Sequence, residues 1–468
     1  MCGIFFNFNL KKKTGKKQSE LYKRNFQKYL SQRGPNGYKE VIENNCYFLH
    51  SRLQITGDVV QPVEDLNKIL LFNGEIYNDW RKYNKNYSDT NFLSKFIDKN
   101  NFSNFDKLDG EYSIIILEKK KNFLHIITDP FGTKPIYLAK KKNDLFVCSY
   151  DKSLEDLKIN KKKIYSINPN THIKIKLTDN FPTEKKFPLK KFTFNSKKKT
   201  NYKDFEKALI KSIKKRAQRV QQKILLPLSS GIDSGLIAGL LNKLNINFSS
   251  YSIKYGEDEN IIKQRYEILK KSKKNNFFNI KITKKIASIE KKYLMKNSPF
   301  YNINIDYKPY LYDDYRMIDA FHGLSRIFRL AKKNKEYIVL SGQGADEIIS
   351  DYYAPGTNSR RSCFRGNWKL CNKPWFNFYN GWNKTLIAIN ERIGGSHGLE
   401  TRYPFLDFNL VQSFLSLPNN LKGKYYKAPM VEILKKIRFP FHNKKIGMAA
   451  YNQKRKIIKN SVRTKNKL

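Results

Sequence analysis

Ile224-Leu225-Leu226-Pro227-Leu228-Ser229-Ser230-Gly231-Ile232-Asp233-Ser234 is a short apolar run that breaks into hydroxyls and a glycine. A continuous apolar run of this kind, bounded by a turn signal, reads as a strand buried on both faces. The hydroxyls and Gly231 then mark the turn into a helix. Upstream, Phe205, Leu209, Ile213, Ala217 and Val220 recur at helical spacing. Downstream, a helical pattern covers residues 234–244 and a second strand covers 249–253. Residues 337–340 repeat the motif of a strand followed by a Gly turn. The second half is therefore expected to be α/β with a parallel sheet, its ligands bound off the C-terminal ends of the strands.

The first part of the chain has another rhythm. Residues 3–8, 46–49, 69–72, 112–117, 124–128 and 145–149 are short β-rich runs separated by turn signals. Few connections look like long helices, although 88–99 reads as one. This spacing predicts antiparallel sheets stacked face to face, an α+β domain ending with a strand at 171–177. Residues 184–203, rich in Lys and holding Pro188, read as a linker or an exposed loop. The expected domains are 2–188 and 200–450, and no internal repeat is visible.

Composition narrows the class without naming a function. The chain has 468 residues, enough for two large domains or about three average ones. It is 40% hydrophobic and 14% aromatic, which excludes a disordered or fibrous chain. Lys and Arg number 91 against 41 Asp and Glu, a surplus of +50. Clustered cations can bind polyanions. Here, however, Lys is spread through every segment, and runs such as Lys11-Lys12-Lys13, Lys140-Lys141-Lys142 and Lys197-Lys198-Lys199 carry no interleaved aromatics. That pattern argues for solvated faces over a specific nucleic-acid role. Five cysteines without Cys-x-x-Cys, and six histidines without His-Glu-x-x-His, argue against structural zinc or a disulfide framework. No apolar run approaches the ~18 residues that span a bilayer. Met1-Cys2-Gly3 opens no secretory signal. The expectation is a soluble, cytoplasmic protein without a membrane partner.

Cys2 is the first residue with chemistry to offer. Removal of Met1 would leave a thiol and an α-amine on one residue, and each titrates near neutral pH. The amine can then serve as base for its own nucleophile without a histidine. Asn73-Gly74 could on its own be a tight hairpin turn. Further along, Leu228-Ser229-Ser230-Gly231-Ile232-Asp233-Ser234 offers close backbone approach and helix N-terminal N–H groups to a phosphate, or is simply a Ser-rich N-cap turn. It is not a Walker A loop, because Gly-x-x-x-x-Gly-Lys is absent.

Several stretches taken in order carry a resemblance. They are Arg33-Gly34-Pro35, His50-Ser51-Arg52-Leu53, Gln61-Pro62, Asn73-Gly74-Glu75-Ile76-Tyr77-Asn78, Ser88-Asp89-Thr90 and the segment Asp129 to Tyr137. With Cys2 they resemble the landmarks of class II glutamine amidotransferases, the N-terminal-nucleophile glutaminases. The resemblance implies an Ntn-hydrolase-like domain with Cys2 as nucleophile and the Asn73 amide and Gly74 N–H as oxyanion hole. It implies a glutamine pocket formed by Arg52, Leu53, Gln54, Ile55, Thr56, Asn73, Gly74, Glu75 and Asp89. Arg52 suits an α-carboxylate, and Glu75 with Asp89 suits an α-ammonium.

The Ser-rich loop resembles the PP-loop of ATP pyrophosphatases. Ser341-Gly342-Gln343-Gly344-Ala345-Asp346-Glu347 and Glu400-Thr401-Arg402-Tyr403-Pro404-Phe405-Leu406-Asp407, with Arg392 upstream, resemble further signatures of the asparagine synthetase family. The implied ATP site is Leu228, Ser229, Ser230, Gly231, Asp233, Ser234, Ile253, Ser341, Gly342 and Lys427. Asp233 and Asp346 would hold Mg²⁺ through pyrophosphate, and Lys427, ahead of residues 444–448, would neutralise it. The family's substrates are aspartate, glutamine and ATP; its members often dimerise, so a homodimer is expected. Implied too are a Cys2 thioester, channelled ammonia and a β-aspartyl-AMP intermediate.

This chain departs from the family pattern at Asn36, Ser230, Ser350-Asp351, Gln343 and Glu391, and residues 263–283 lack an Ala-spaced helix with its His. Gln343 stands where a Glu is common and cannot take a proton as a base. Another carboxylate acceptor therefore stays open, as does a non-catalytic basic relative that binds nucleic acid. Trp368, Trp375 and Trp382, spaced by seven, are read as local packing.

Overall fold

The computed structural model describes residues 2–11, 13–79, 88–178, 184–194, 199–217, 222–272, 275–298, 315–354 and 361–442. Val220, Lys197, Lys198 and residues 444–448 lie outside them.

The first half contains β1 (Gly3–Asn9), α1 (Lys16–Leu30), β2 (Tyr38–Glu43), β3 (Cys46–Ser51), β4 (Val63–Glu64), β5 (Lys68–Ile76) and α2 (Asp89–Lys99). It continues with β6 (Gly110–Glu118), β7 (Phe123–Thr128), β8 (Tyr137–Lys141), β9 (Asp144–Cys148), α3 (Asp151–Asp156), β10 (Ile164–Ser166), β11 (Thr171–Lys176) and β12 (Glu184–Pro188). The strands form two six-stranded antiparallel sheets, ordered β10-β8-β9-β1-β3-β2 and β12-β11-β7-β6-β5-β4. Ile4, Phe6, Phe48, Leu71, Ile115 and Val147 pack between the sheets. Helix α1 covers one outer face through Tyr22 and Phe26, and α2 covers the other through Leu93 and Ile97.

Two sequence expectations change here. Helix α1 was hidden among lysines, because its buried apolar side is the narrow stripe Tyr22, Phe26, Tyr29 and Leu30, and that i, i+4, i+7, i+8 set suffices once a sheet lies beneath it. Residues Glu184–Pro188, read as the start of a linker or loop, instead pair with β11 from Ile175↔Glu184 to Thr171↔Pro188. Lysines on such a strand suit a sheet edge, where charge discourages further pairing.

The second half contains α4 (Lys203–Ala217), β13 (Ile224–Pro227), α5 (Ile232–Lys243), β14 (Phe248–Ile253), α6 (Glu259–Lys270), β15 (Asn276–Ile280), α7 (Lys284–Asn297) and α8 (Tyr315–Lys333). Then follow β16 (Ile338–Leu340), α9 (Phe376–Tyr379), α10 (Gly381–His397), β17 (Glu400–Arg402), α11 (Phe408–Leu415), α12 (Asn419–Lys422) and α13 (Ala428–Lys436). The sheet is five-stranded, ordered β15-β14-β13-β16-β17, and every pairing is parallel. Leu226, Leu236, Phe414 and Leu434 belong to the core on one side; Leu225, Phe328 and Ile393 belong to the other. The chain leaves β13 in one direction for β14 and β15 and returns on its other side for β16 and β17. That reversal opens a crevice at the C-terminal end of β13. Trp368, Trp375 and Trp382 are all buried, and the first two meet edge-on with centroids 6.2 Å apart.

Candidate active sites

Strand β1 starts immediately after Cys2, and its pairing with β3 sets Gly3 against Ser51. The Leu53 N–H consequently donates to Cys2 Sγ at 3.4 Å, and Arg33 Nε donates to the Cys2 carbonyl at 2.7 Å. Burial pushes the Cys2 thiol up; the N-terminal ammonium opposes this, while Glu400 and Asp89 add to it. A base is therefore needed to make the thiolate near neutral pH.

Asn73 and Gly74 are not a hairpin turn. They sit within β5, opposite Ser113 and Tyr112 of β6. Asn73 is fully buried, yet among the described residues neither its Nδ2 nor its Oδ1 has a hydrogen-bond partner. A buried amide without a partner carries a penalty of about 1–3 kcal/mol, which an incoming oxyanion would relieve. Gly74 has φ +141°, and a Cβ there would come 1.9 Å from the Glu111 carbonyl oxygen, so no other residue fits.

Asp89 opens α2 behind the cap Ser88, whose hydroxyl accepts from the Asn91 N–H at 3.2 Å. Asp89 itself accepts from the Ile76 N–H at 3.3 Å. Burial, with Glu400 nearby, drives its carboxyl up to about 7. Arg52 Nη2 donates to the Gly57 carbonyl at 3.1 Å and lies beside Asp58. In the same loop Leu53 is buried, Ile55 packs against the core of the second half and Thr56 is half-buried. Gln54 is exposed, and its N–H donates to Asn36 Oδ1 at 2.9 Å, which gives the unusual Asn36 a task.

The two halves meet through buried charge. Glu75 Oε2 accepts from Arg402 Nη2 of β17 at 2.9 Å, so a residue read as a glutamine ligand also joins the halves. Glu391 Oε2 accepts from Arg33 Nη2 at 3.0 Å, and its Oε1 accepts from Lys134 Nζ at 3.0 Å and from the Tyr403 hydroxyl at 3.0 Å. Arg216 Nε donates to Glu111 at 2.6 Å, and Lys215 Nζ donates to Asp109 at 2.6 Å. Apart from Tyr403 and Glu391, these partners lie between 105 and 358 residues apart, and no local pattern announces them.

At the end of β13, Ser229 Oγ and Ser234 Oγ lie 2.9 Å apart, and the Ser229 N–H donates to Ser234 Oγ at 3.0 Å. Ser229 Oγ also accepts from the Gly231 N–H at 3.2 Å. Ser230 donates from both N–H and hydroxyl to Glu257 Oε2, each at 2.6 Å, and accepts the Asp258 N–H at 3.1 Å. Ser230, a departure from the family pattern, is thus tied to the start of α6. Glu257 was missed from sequence; its place just after β14 was the available signal.

Lys427, on the left-handed residue before α13, gathers the remaining loops. Its Nζ meets Asp233 Oδ1 and Oδ2 at 2.6 and 2.8 Å, and Asp346 Oδ1 at 2.7 Å. Burial works against the Lys427 charge, but Asp233 and Asp346 outweigh it and hold the ammonium well above its usual range. The Tyr426 hydroxyl donates to Asp346 at 3.1 Å. A Cβ on Gly342 would lie 3.2 Å from Asp233 Cβ, so the two Gly-bearing loops abut. The Ser341 N–H donates to the Arg402 carbonyl at 2.9 Å. A cavity of about 300 Å³ opens here, lined by Ser229, Ile253, Gln343, Asp346, Arg361 and apolar residues of α8 such as Phe321 and Leu324.

Among the described residues no set of three or more His, Cys, Asp or Glu is placed to hold a metal. Asp233 and Asp346 nonetheless supply hard carboxylate oxygens, the donor type Mg²⁺ takes when phosphates and water complete its shell. Asp351 is occupied structurally, accepting from Phe364 N–H at 2.9 Å and Ser362 Oγ at 2.8 Å. Among the described residues, no helix is long and apolar enough to cross a membrane.

Residues 1–189 match the glutamine amidotransferase domain family, and residues 204–368 and 353–441 match asparagine synthase. A Methanocaldococcus jannaschii protein bearing the name of a glutamine-hydrolyzing asparagine synthetase is 28% identical over 417 residues, covering 82% of this chain and 71% of that one. The glutamine-hydrolyzing asparagine synthetase of Mesocricetus auratus is 22% identical over 436 residues, 84% of this chain and 74% of its own. That of Bos taurus is 23% identical over 442 residues, with the same coverage of each chain. Fold and matches together define a two-part amidotransferase, a glutaminase module joined to an ATP-using ligase module. The chain belongs to the glutamine-hydrolysing asparagine synthetase family.

Proposed function

We propose that the protein makes asparagine from aspartate and ATP with glutamine as nitrogen donor, releasing glutamate, AMP and pyrophosphate. The observation that carries this reading is the Lys427 ammonium held between Asp233 and Asp346. It joins the Ser-rich loop, the Ser-Gly-Gln-Gly loop and the segment before α13, which lie far apart in sequence.

In the first, Ntn-hydrolase-like domain, loss of Met1 frees the Cys2 amine to take the thiol proton. The thiolate attacks the glutamine side-chain amide, and Asn73 Nδ2 with the Gly74 N–H supports the oxyanion. Ammonia leaves, and water opens the Cys2 thioester to give glutamate. Arg52 and Asp89 suit the two ends of the amino acid. In the second domain the loop from Ser229 to Ser234 receives the phosphates of ATP, and the β-carboxylate of aspartate attacks the α-phosphorus. Lys427 offsets charge as pyrophosphate departs, and AMP is then displaced by ammonia that crosses the charged contact between the halves. When bound at Asp233 and Asp346, Mg²⁺ supplies further neutralisation of pyrophosphate. Gln343 orients rather than deprotonates, since an amide is no base.

A second reading is an acceptor carboxylate other than aspartate. The apolar wall of α8 beside Gln343 favours it. Pyrophosphate release with Mg-ATP, measured with and without aspartate and paired with mass-spectrometric detection of asparagine, separates the two. Glutamine hydrolysis without aspartate-dependent pyrophosphate would sink the first reading.

A further inference from the structure

We propose that Arg265, on α6, is a positioning residue that shapes the phosphate loop from behind and sets its affinity for the pyrophosphate end of ATP. The inference rests on the reading of that loop as a nucleotide site.

Arg265 is fully buried. Its Nη1 donates to the Ser229 carbonyl and its Nη2 to the Gly231 carbonyl, the latter at 3.0 Å. Its Nε donates to the Pro440 carbonyl at 2.8 Å, beyond the end of α13. One planar fork therefore ties both sides of the Ser-rich loop to the segment that follows the helix led by Lys427. The fit is close: a Cβ on Gly235 of α5 would stand 2.2 Å from Nη2, so the glycine makes room for the guanidinium. Burial draws the Arg265 group down to about 10, which still leaves it charged at neutral pH.

Two consequences follow from this geometry. Arg265 fixes the Ser229 and Gly231 carbonyls, and the N–H groups of Ser229, Ser230 and Gly231 are engaged within the loop and by Glu257, so phosphate oxygens would meet the N–H groups that open α5. A buried cation directly behind the loop also adds positive potential that water screens poorly. On the front edge, Glu257 holds Ser230 through two hydrogen bonds, so the loop is braced from both sides. A lysine could keep the charge but not the planar fork. Arg265 lies near the start of residues 263–283, the stretch that lacks an Ala-spaced helix, and it takes up the space under the loop.

The test uses the full chain with Mg-ATP and with inorganic pyrophosphate as probes, by calorimetry and steady-state kinetics. Arg265→Met is expected to weaken both ligands at least about tenfold and to raise KM for ATP more than KM for aspartate. Arg265→Lys is expected to recover pyrophosphate affinity in part while KM for ATP stays raised several-fold. Binding of both probes by Arg265→Met within about twofold of the unaltered protein would overturn the proposal. Should that variant melt before it can be assayed, Arg265→Lys decides: an unchanged KM for ATP at an unchanged melting temperature rejects the fork. Failure of the unaltered protein to bind either probe removes the nucleotide site itself, and the inference with it.

Discussion

Replacing Lys427 with methionine takes away an ammonium that lies between two carboxylates. In the folded protein its Nζ lies 2.6 and 2.8 Å from the two oxygens of Asp233 and 2.7 Å from Asp346. The ammonium is 2% exposed, whereas the aspartates are 24% and 25% exposed. Breaking a fully buried pair by removing one partner costs about 3–5 kcal/mol. Water can reach the aspartates, so the lower figure of about 2 kcal/mol applies here. For a domain of this size that lowers the melting midpoint by about 4–8 °C. Mg²⁺ with pyrophosphate should restore part of the loss, because a divalent cation can take over the charge between the carboxylates. Aspartate-dependent pyrophosphate release should fall about 10²–10³-fold, as it does when a charge-stabilising donor is removed from other active sites. Scanning calorimetry with and without Mg²⁺ and pyrophosphate, and a coupled pyrophosphate assay, read the two effects. An unchanged midpoint together with pyrophosphate release close to that of the unaltered protein would refute this account of Lys427.

Three further outcomes concern the glutaminase site and the contact between the halves. Asn73→Ala should slow glutamine hydrolysis about 10²–10³-fold while synthesis from ammonium chloride persists; equal loss of both would show that Asn73 does not act as an oxyanion donor. Asp89 has its carboxyl raised to about 7, so the folded state binds more protons than the unfolded chain between about pH 4 and 7, and stability falls as pH rises through that window. Ionised Asp89 suits the glutamine ammonium, so kcat/KM for glutamine should climb toward pH 7; in Asp89→Asn that climb should vanish and the acid-side stability gain should flatten. Glu391→Ala takes a carboxylate away from Arg33 and Lys134, both about 1% exposed, and should cost about 3–5 kcal/mol, whereas a melting curve identical to that of the unaltered protein would mean that water or their other partners replace the carboxylate.

The boundary between what was readable and what was hidden follows interaction range. Strand β13, the turn after it and α5 were legible because burial on both faces writes a continuous apolar run and a phosphate loop needs small residues in a row. The order of landmarks from Cys2 to Asp89 was legible through its resemblance to class II glutamine amidotransferases, because each landmark is a short contiguous segment. Helix α1 escaped because polar and charged residues outnumber the apolar stripe that anchors it. Asn73-Gly74 taken alone resembles a hairpin turn because that dipeptide is a common turn signal, and only the approach of Glu111 shows that the strand itself requires the glycine. Arg265 escaped because a lone base on a helix carries no local signature, and Glu257, in the loop between β14 and α6, had only its place after a strand to mark it.

The chain alone therefore settled which chemical groups are available and on which kinds of element they ride, since propensity, periodicity and turn residues act within a few positions. Only the tertiary structure decided which of them share a site. Asp233 and Asp346 converge because the loops after β13 and β16 leave the same end of one parallel sheet, and the connection between α12 and α13 brings Lys427 to them. Glu75 meets Arg402, and Glu391 meets Arg33 and Lys134, because desolvated charges must find partners wherever the packed halves bring them. Separation in space, set by packing, bears no fixed relation to separation along the chain.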